Sequence, residues 1–194
     1  MSKHNADDQR KSMRDLNLEV RYRSGQNDMV NEFYVPTLER ACRYDRAAGY
    51  FTSSGLAEAA KGIAHLITNG GKIRLVTSLV LQQDDVEAIR RGYEEEENTL
   101  DEIVSNNFEE VYDAISKDRL NALSWLIAKG QLEIKLAICT SDTSGIYHEK
   151  LGVIWDTNGD YVAFAGSSNE TAGGLVNNFE RVHVYKSWTS SELA

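Results

Sequence analysis

The sequence predicts an α/β domain, a mixed β-sheet flanked by helices. Three observations predict it. Apolar residues recur at helical spacing in several segments of the first two thirds, between short runs that alternate with period two. The final third is rich in strand-like runs: LEIKLAI, YHEKLGVIW, YVAFAG and FERVHVY. The composition is that of a globular chain, with 41% hydrophobic and 26% charged residues. Strand, helix, strand, helix and strand followed by a hairpin imply a mixed sheet with helices packed on it. The 194 residues suit one domain.

The elements follow in order. Residues 1–17 read as a polar, disordered leader without the apolar segment of a secretory signal. Residues 18–188 form the single domain and 189–194 a polar tail. Leu18–Arg23 reads as a short strand. Asn27 or Asp28 then caps an amphipathic helix to about Arg43, with Pro36 inside it predicting a kink or a later start. Tyr44–Phe51 is the next strand. Ser53 or Ser54 caps a helix carrying Leu56, Ala60, Ile63 and Ile67 on one face, and Asn69-Gly70-Gly71 stops it. KIRLVTSLV is a strand with Ile73 and Leu75 on one face and Lys72 and Arg74 on the other. Leu100, Ile103, Val104, Val111 and Ile115 trace a helical face, with Glu94–Glu97 and Glu109–Glu110 solvated. Asn121–Lys129 is a further helix closed by Gly130. Asn158-Gly159 is a two-residue hairpin signal.

Charge and cysteine content exclude several classes. The formal net charge is −9, yet residues 84–118 hold thirteen acids and three bases, so the remainder carries seventeen acids and eighteen bases. The acidity belongs to one segment, and a basic cleft elsewhere remains compatible with the total. A nucleic-acid surface needs only about 6–10 well-placed cations. No apolar run approaches the roughly 18 residues of a membrane helix. Cys42 and Cys139 stand far apart without metal-ligand spacing, which argues against a zinc site or a disulfide framework. The expected setting is cytoplasmic, without membrane contact. Gly70-Gly71 is a turn, since no GxxxxGK[ST] phosphate loop occurs.

The chemistry concentrates between Tyr147 and Tyr185. His148 and Lys150 are two apart on an expected strand, so both project from the face that also carries Gly152 and Ile154. A histidine and a lysine on an otherwise small and apolar face call for an anionic partner. Gly166-Ser167-Ser168-Asn169 follows a short apolar strand and offers hydroxyls, an amide and flexible backbone for an oxyanion. Glu180 falls in phase with Val182 and Val184, which places a carboxylate on the buried face. In one chemical scheme, His148 attacks a phosphorus atom to give a phosphohistidine. Lys150, Ser167 and Asn169 bind the non-bridging oxygens, and Glu180 holds the imidazole tautomer. The scheme needs no metal and no cofactor. His65 and His183 read as solvent-facing, and His4 lies in the leader.

HEK at 148–150, GSSN at 166–169 and NFE at 178–180 resemble the H-x-K, G-S-x-N and N-x-E pattern of the phospholipase D superfamily, nearest its single-motif nuclease branch. GYFTSSGL at 49–56 and GSSNETAGGL at 166–175 further resemble phospholipase D-like domains found ahead of helicase modules in bacterial proteins. The resemblance covers roughly residues 27–188. It implies a phospholipase D-like fold with His148 as nucleophile, Lys150 and Asn169 as phosphate ligands, Ser167 as a donor and Glu180 as the partner of histidine. One departure stands out: five residues, LGVIW, separate Lys150 from Asp156, where the family usually has four. Asp156 is assigned to the hairpin cap and left out of the catalytic set.

A single H-x-K motif carries a further implication, because nucleophile and leaving-group acid must be separate groups. Histidines, whose ordinary pKa is about 6.5, divide those roles well near neutral pH. Family members with one motif pair two copies across a two-fold axis, so the resemblance implies a homodimer with a shared active site. It also implies a nucleic-acid substrate, DNA in preference to RNA, and a helicase domain or subunit as partner. The alternatives are a non-catalytic nucleic-acid-binding or dimerisation module, supported by the displaced aspartate, and a phospholipid hydrolase. The last lacks a visible interfacial helix rich in Lys and Trp or Phe.

Overall fold

Parallel neighbours in a sheet need long crossovers, whereas antiparallel ones can be joined by tight hairpins; this chain uses both. The computed structural model describes residues 12–94, 107–138, 146–169, 171–178 and 180–189. Seven strands form one mixed sheet: β1 Arg21–Arg23, β2 Arg43–Ala48, β3 Lys72–Thr77, β4 Leu132–Leu136, β5 Lys150–Trp155, β6 Tyr161–Gly166 and β7 Arg181–Lys186. Their spatial order is β1-β7-β6-β5-β2-β3-β4. β2, β3 and β4 run parallel, and every other neighbouring pair is antiparallel. Helices α2 (Ser53–Glu58) and α3 (Ala60–Thr68) lie in the β2–β3 crossover. Helices α4 (Gln83–Glu94), α5 (Phe108–Lys117) and α6 (Arg119–Ala128) lie in the β3–β4 crossover.

The alternation written in the strands decides which face is covered. Tyr44, Ile73, Leu75, Leu132, Ile154, Val162, Phe164, Val182 and Val184 are buried in one core with Ile63, Leu66, Leu123 and Trp125 of the helices. The opposite face carries exposed or half-buried side chains, among them Arg74, Leu151, Ala165, His183 and Tyr185. Phe164 is the centre of the packing. Its ring meets Phe33 edge-on at 5.2 Å and Tyr34 at 5.6 Å and stacks on Tyr44 at 6.3 Å. Gly152 on the neighbouring strand makes room for it, since a Cβ there would run into the ring.

Several elements differ from expectation. The helix expected from Asn27 to about Arg43 is instead a π-helical turn over Val30–Tyr34 and a short α1 over Val35–Leu38. Pro36 lacks an N–H and fits only the first turn of α1. The next helix breaks at Ala59 into α2 and α3. β5 begins at Lys150, so Tyr147 and His148 precede the strand. The hairpin after β5 has three loop residues, Thr157–Gly159, with Gly159 at φ 85°. Asp156 caps it by accepting from the backbone N–H of Asn158 at 2.8 Å and Asp160 at 3.0 Å. That carboxylate also accepts from Met13, whose side chain is fully buried, so residues 12–17 belong to the domain and not to a leader. His65 is half-buried and stacks on Phe108 at 4.1 Å, because α5 packs against α3 there. The expected positions of Leu100, Ile103, Val104, Glu95–Glu97, Cys139 and His4 lie outside the described residues.

Candidate active site

The sheet register brings the chemistry to one end. The C-terminal ends of the parallel strands β2–β4 point the same way as the start of β5, the end of β6 and the start of β7. Residues just beyond those ends therefore lie at one end of the sheet: Gly49 and Tyr50 after β2, His148 before β5, Ser167–Asn169 after β6 and Glu180 before β7. Asp156 sits at the far end, in the hairpin between β5 and β6.

Gly49 is the floor of the site. A Cβ there would lie 3.0 Å from Cδ2 of His148, 3.2 Å from its Cα and 3.4 Å from Oδ1 of Asn169. Only a residue without a side chain lets the imidazole and the amide approach the same point of the chain. The neighbouring Tyr50 orders both. Its backbone N–H donates to Oδ1 of Asn169 at 3.1 Å, and its ring stands edge-on to the imidazole at 6.0 Å. With Oδ1 engaged, the Asn169 amide keeps its Nδ2 as a donor for an anion.

Lys150 opens β5 opposite Ala48 of β2, and its Nζ donates to the carbonyl oxygen of His148 at 3.1 Å. Its pKa lies below the ordinary 10.5, first because burial disfavours the ammonium; Glu180 opposes the shift and Arg46 adds to it. Glu180 is buried on the covered face, as its phase with Val182 and Val184 predicts. Its backbone N–H donates to Oγ of Ser24 at 3.1 Å, and Oε1 accepts from Nδ2 of Asn178 at 3.3 Å. No hydrogen bond joins the imidazole of His148 to Glu180, Lys150 or Asn169. Ser167 is exposed, and its Oγ accepts from the backbone N–H of Arg181 at 3.1 Å, which turns it toward the open face. Ser168 is buried and donates to the carbonyl of Gly174 at 2.8 Å, tying the turn down.

Arg46 is the residue the sequence reading missed. It lies on the covered face of β2 at 4% exposure, its guanidinium over Phe164 at 5.1 Å and donating to the carbonyl of Ser168 at 2.6 Å. The signal was available: an arginine in the buried phase between Tyr44 and Ala48. It braces the 166–169 turn and adds positive charge beside Lys150, whose pKa it lowers. Gly49 and Tyr50, quoted within GYFTSSGL, likewise had no role until the register placed them. Beside the site, Tyr50, Tyr147, Leu79, Val80, Ile138 and Ile146 line an apolar groove of about 240 Å³.

A site holding an imidazole, an ammonium, a buried guanidinium, a free amide donor and one carboxylate suits a single phosphate group. Among the described residues, no three His, Cys, Asp or Glu side chains gather into a metal-holding group. No described helix is long and apolar enough to cross a membrane.

Neither family models nor curated protein sequences match the chain. Solved structures with a similar fold include NucT from Helicobacter pylori, 15% identical with a TM-score of 0.49, covering 84% of this chain and 82% of that one. Nuc from Salmonella typhimurium, a phospholipase D family member, is 15% identical with a TM-score of 0.45, covering 86% and 81%. Yeast tyrosyl-DNA phosphodiesterase is 13% identical with a TM-score of 0.44, covering 75% of this chain and 26% of that one.

Proposed function

We propose that this domain belongs to the phospholipase D superfamily and is a metal-independent phosphodiesterase that cleaves nucleic acid through His148. The observation that carries this reading is the approach of His148 and Asn169 over Gly49, beside a Lys150 whose Nζ donates to the carbonyl oxygen of His148. The motif resemblance at 148–150, 166–169 and 178–180 supports it independently.

In the first step an imidazole nitrogen of His148 attacks phosphorus. The N–P bond forms as the bond from phosphorus to the leaving oxygen breaks, and a second imidazole gives that oxygen its proton. Lys150 and the Nδ2 of Asn169 hold the non-bridging oxygens, whose charge develops in the transition state. Water then attacks the phosphohistidine, passing its proton to the second imidazole as the N–P bond breaks and a phosphate monoester leaves. Glu180 opposes the loss of charge on Lys150 and, once substrate turns the ring, orients the imidazole. The second imidazole is the partner subunit's His148, which makes the working unit a homodimer. DNA, in preference to RNA, is the substrate, and a helicase domain or subunit is the partner that would deliver it.

The test is cleavage of plasmid and single-stranded DNA, and of a chromogenic phosphodiester, in EDTA. Wild type is expected to cleave; His148→Ala is expected to lose activity by on the order of 10³-fold or more, and Lys150→Ala by about 10²–10³-fold. Cleavage that requires magnesium and survives His148→Ala would sink the histidine mechanism. The lack of a hydrogen bond from the imidazole to Glu180, Lys150 or Asn169 favours one second reading, a binding module without turnover. Retained DNA binding with no cleavage by wild type would select it.

A further inference from the structure

The open face of the sheet holds a concentration of positive charge that the catalytic scheme does not use. Arg21 of β1 stands directly opposite His183 of β7, and Arg23 directly opposite Arg181. All four are exposed and share the open face. Like charges placed opposite one another on a sheet destabilise it. Among the described residues, Arg21, Arg23 and Arg181 make no ion pair. Most cations on the other half of the same face behave differently, the exposed Lys72 of β3 being an exception without an ion pair among the described residues. Arg74 and Arg43 pair with Asp45, at 2.7 Å and 3.0 Å, and Lys135 pairs with Glu133 at 3.0 Å. Unspent positive charge on this face is thus concentrated at the β1–β7 edge, in a chain of net charge −9.

The edge is continuous with the phosphate site. Arg181 follows Glu180 directly, and its backbone N–H donates to Ser167, two residues before Asn169. Ser24, next to Arg23, exchanges hydrogen bonds with the backbone of Glu180, N–H to carbonyl at 3.0 Å and Oγ from N–H at 3.1 Å. Across the strands one row of the face reads Leu151, Ala165, His183, Arg21. Its alanine leaves a low floor beside the arginines, over which an extended chain can lie.

We propose that the β1–β7 edge, through Arg21, Arg23, Arg181 and His183, is a track for the phosphate backbone of the nucleic-acid substrate, leading it over the end of the sheet to His148. The polyanion relieves the cross-strand repulsion that the protein leaves uncompensated. This rests on the phosphodiesterase reading for the identity of the polymer, and the experiment separates the two.

Binding of a fluorescein-labelled single-stranded oligodeoxynucleotide is measured by anisotropy in EDTA over a series of KCl concentrations, for wild type, Arg23→Gln/Arg181→Gln and Arg74→Gln. Each phosphate contact on a single strand contributes about 0.7 to the slope of log K against log salt. The double variant is expected to lose about 1.4 of slope, and Arg74→Gln none, while the double variant hydrolyses the chromogenic diester at the wild-type rate. An unchanged slope overturns the track, as does an equal loss in the Arg74 variant. A changed molar mass by light scattering also overturns it, assigning the edge to a protein interface. Should the double variant fail to fold, Arg21→Gln alone is expected to lose about 0.7. Absence of diester hydrolysis by wild type would defeat the catalytic reading and leave the slope measurement decisive for the track.

Discussion

Lys150 feels its surroundings through its charge. Burial and Arg46 push its pKa below 10.5, and Glu180 pulls it back. The charged form is the one a phosphate needs, so activity should fall as pH rises through a pKa below the ordinary lysine value. Removing the carboxylate takes away the opposing influence. Glu180→Gln is therefore expected to move the alkaline limb of kcat/KM to lower pH, which a pH–rate profile with the chromogenic diester reads. A limb that stays in place would mean that Glu180 does not act on Lys150. For stability the sign runs the other way. A lowered folded pKa means that the unfolded chain binds the proton more strongly, so the cost of burying the ammonium is present at neutral pH and fades above the folded pKa. The imidazole is arranged differently: Gly49 and Tyr50 position it by contact, with no hydrogen bond to Glu180.

At the scale of elements, the site depends on how closely β5, β6 and β7 pack. Phe164 fills the space that Gly152 leaves, and Gly166 lies so near the carbonyl of Arg181 that a Cβ there would collide with backbone. Phe164→Ala is expected to cost about 3–5 kcal/mol, seen as a Tm lower by about 6–20 °C for a domain of this size. Gly166→Ala should be worse for function than for Tm, because the strain falls on the turn carrying Ser168 and Asn169. Diester hydrolysis lost with most of the melting transition retained would bear this out; a wild-type rate would refute it. The strands around this packing were legible in the sequence because period-two alternation separates covered from open residues. Helix ends were less so. Ala59, between Leu56 and Ile63, carries no breaking signal, yet the α2–α3 bend falls there.

Across the whole molecule, charge is segregated. Among the described residues, Asp84, Asp85, Glu87 and Glu94 lie on α4 and Glu109, Glu110 and Asp113 on α5, while Arg21, Arg23 and Arg181 lie on the open face of the sheet. The molecule thus turns a cationic edge toward its site despite a negative total. The proposed mechanism also makes a demand at this scale, since one protomer supplies one imidazole. Light scattering is expected to report twice the 21.7 kDa of the chain. A strict monomer with wild-type cleavage would refute the two-histidine scheme and require another acid for the leaving oxygen.

The sequence by itself determined the mixed sheet and the order of its strands along the chain, and it singled out His148, Lys150, Asn169 and Glu180 as candidates, because alternation and short motifs are local properties. Only the tertiary structure decided that Gly49 and Tyr50 touch His148 and Asn169, that Arg46 braces the turn at Ser168, and that Ser167 Oγ accepts from the backbone of Arg181. Those outcomes depend on register between strands distant in the chain, with Ala48 opposite Lys150 and Ser167 beside Arg181. Register is settled by packing around Phe164 and not by any segment alone.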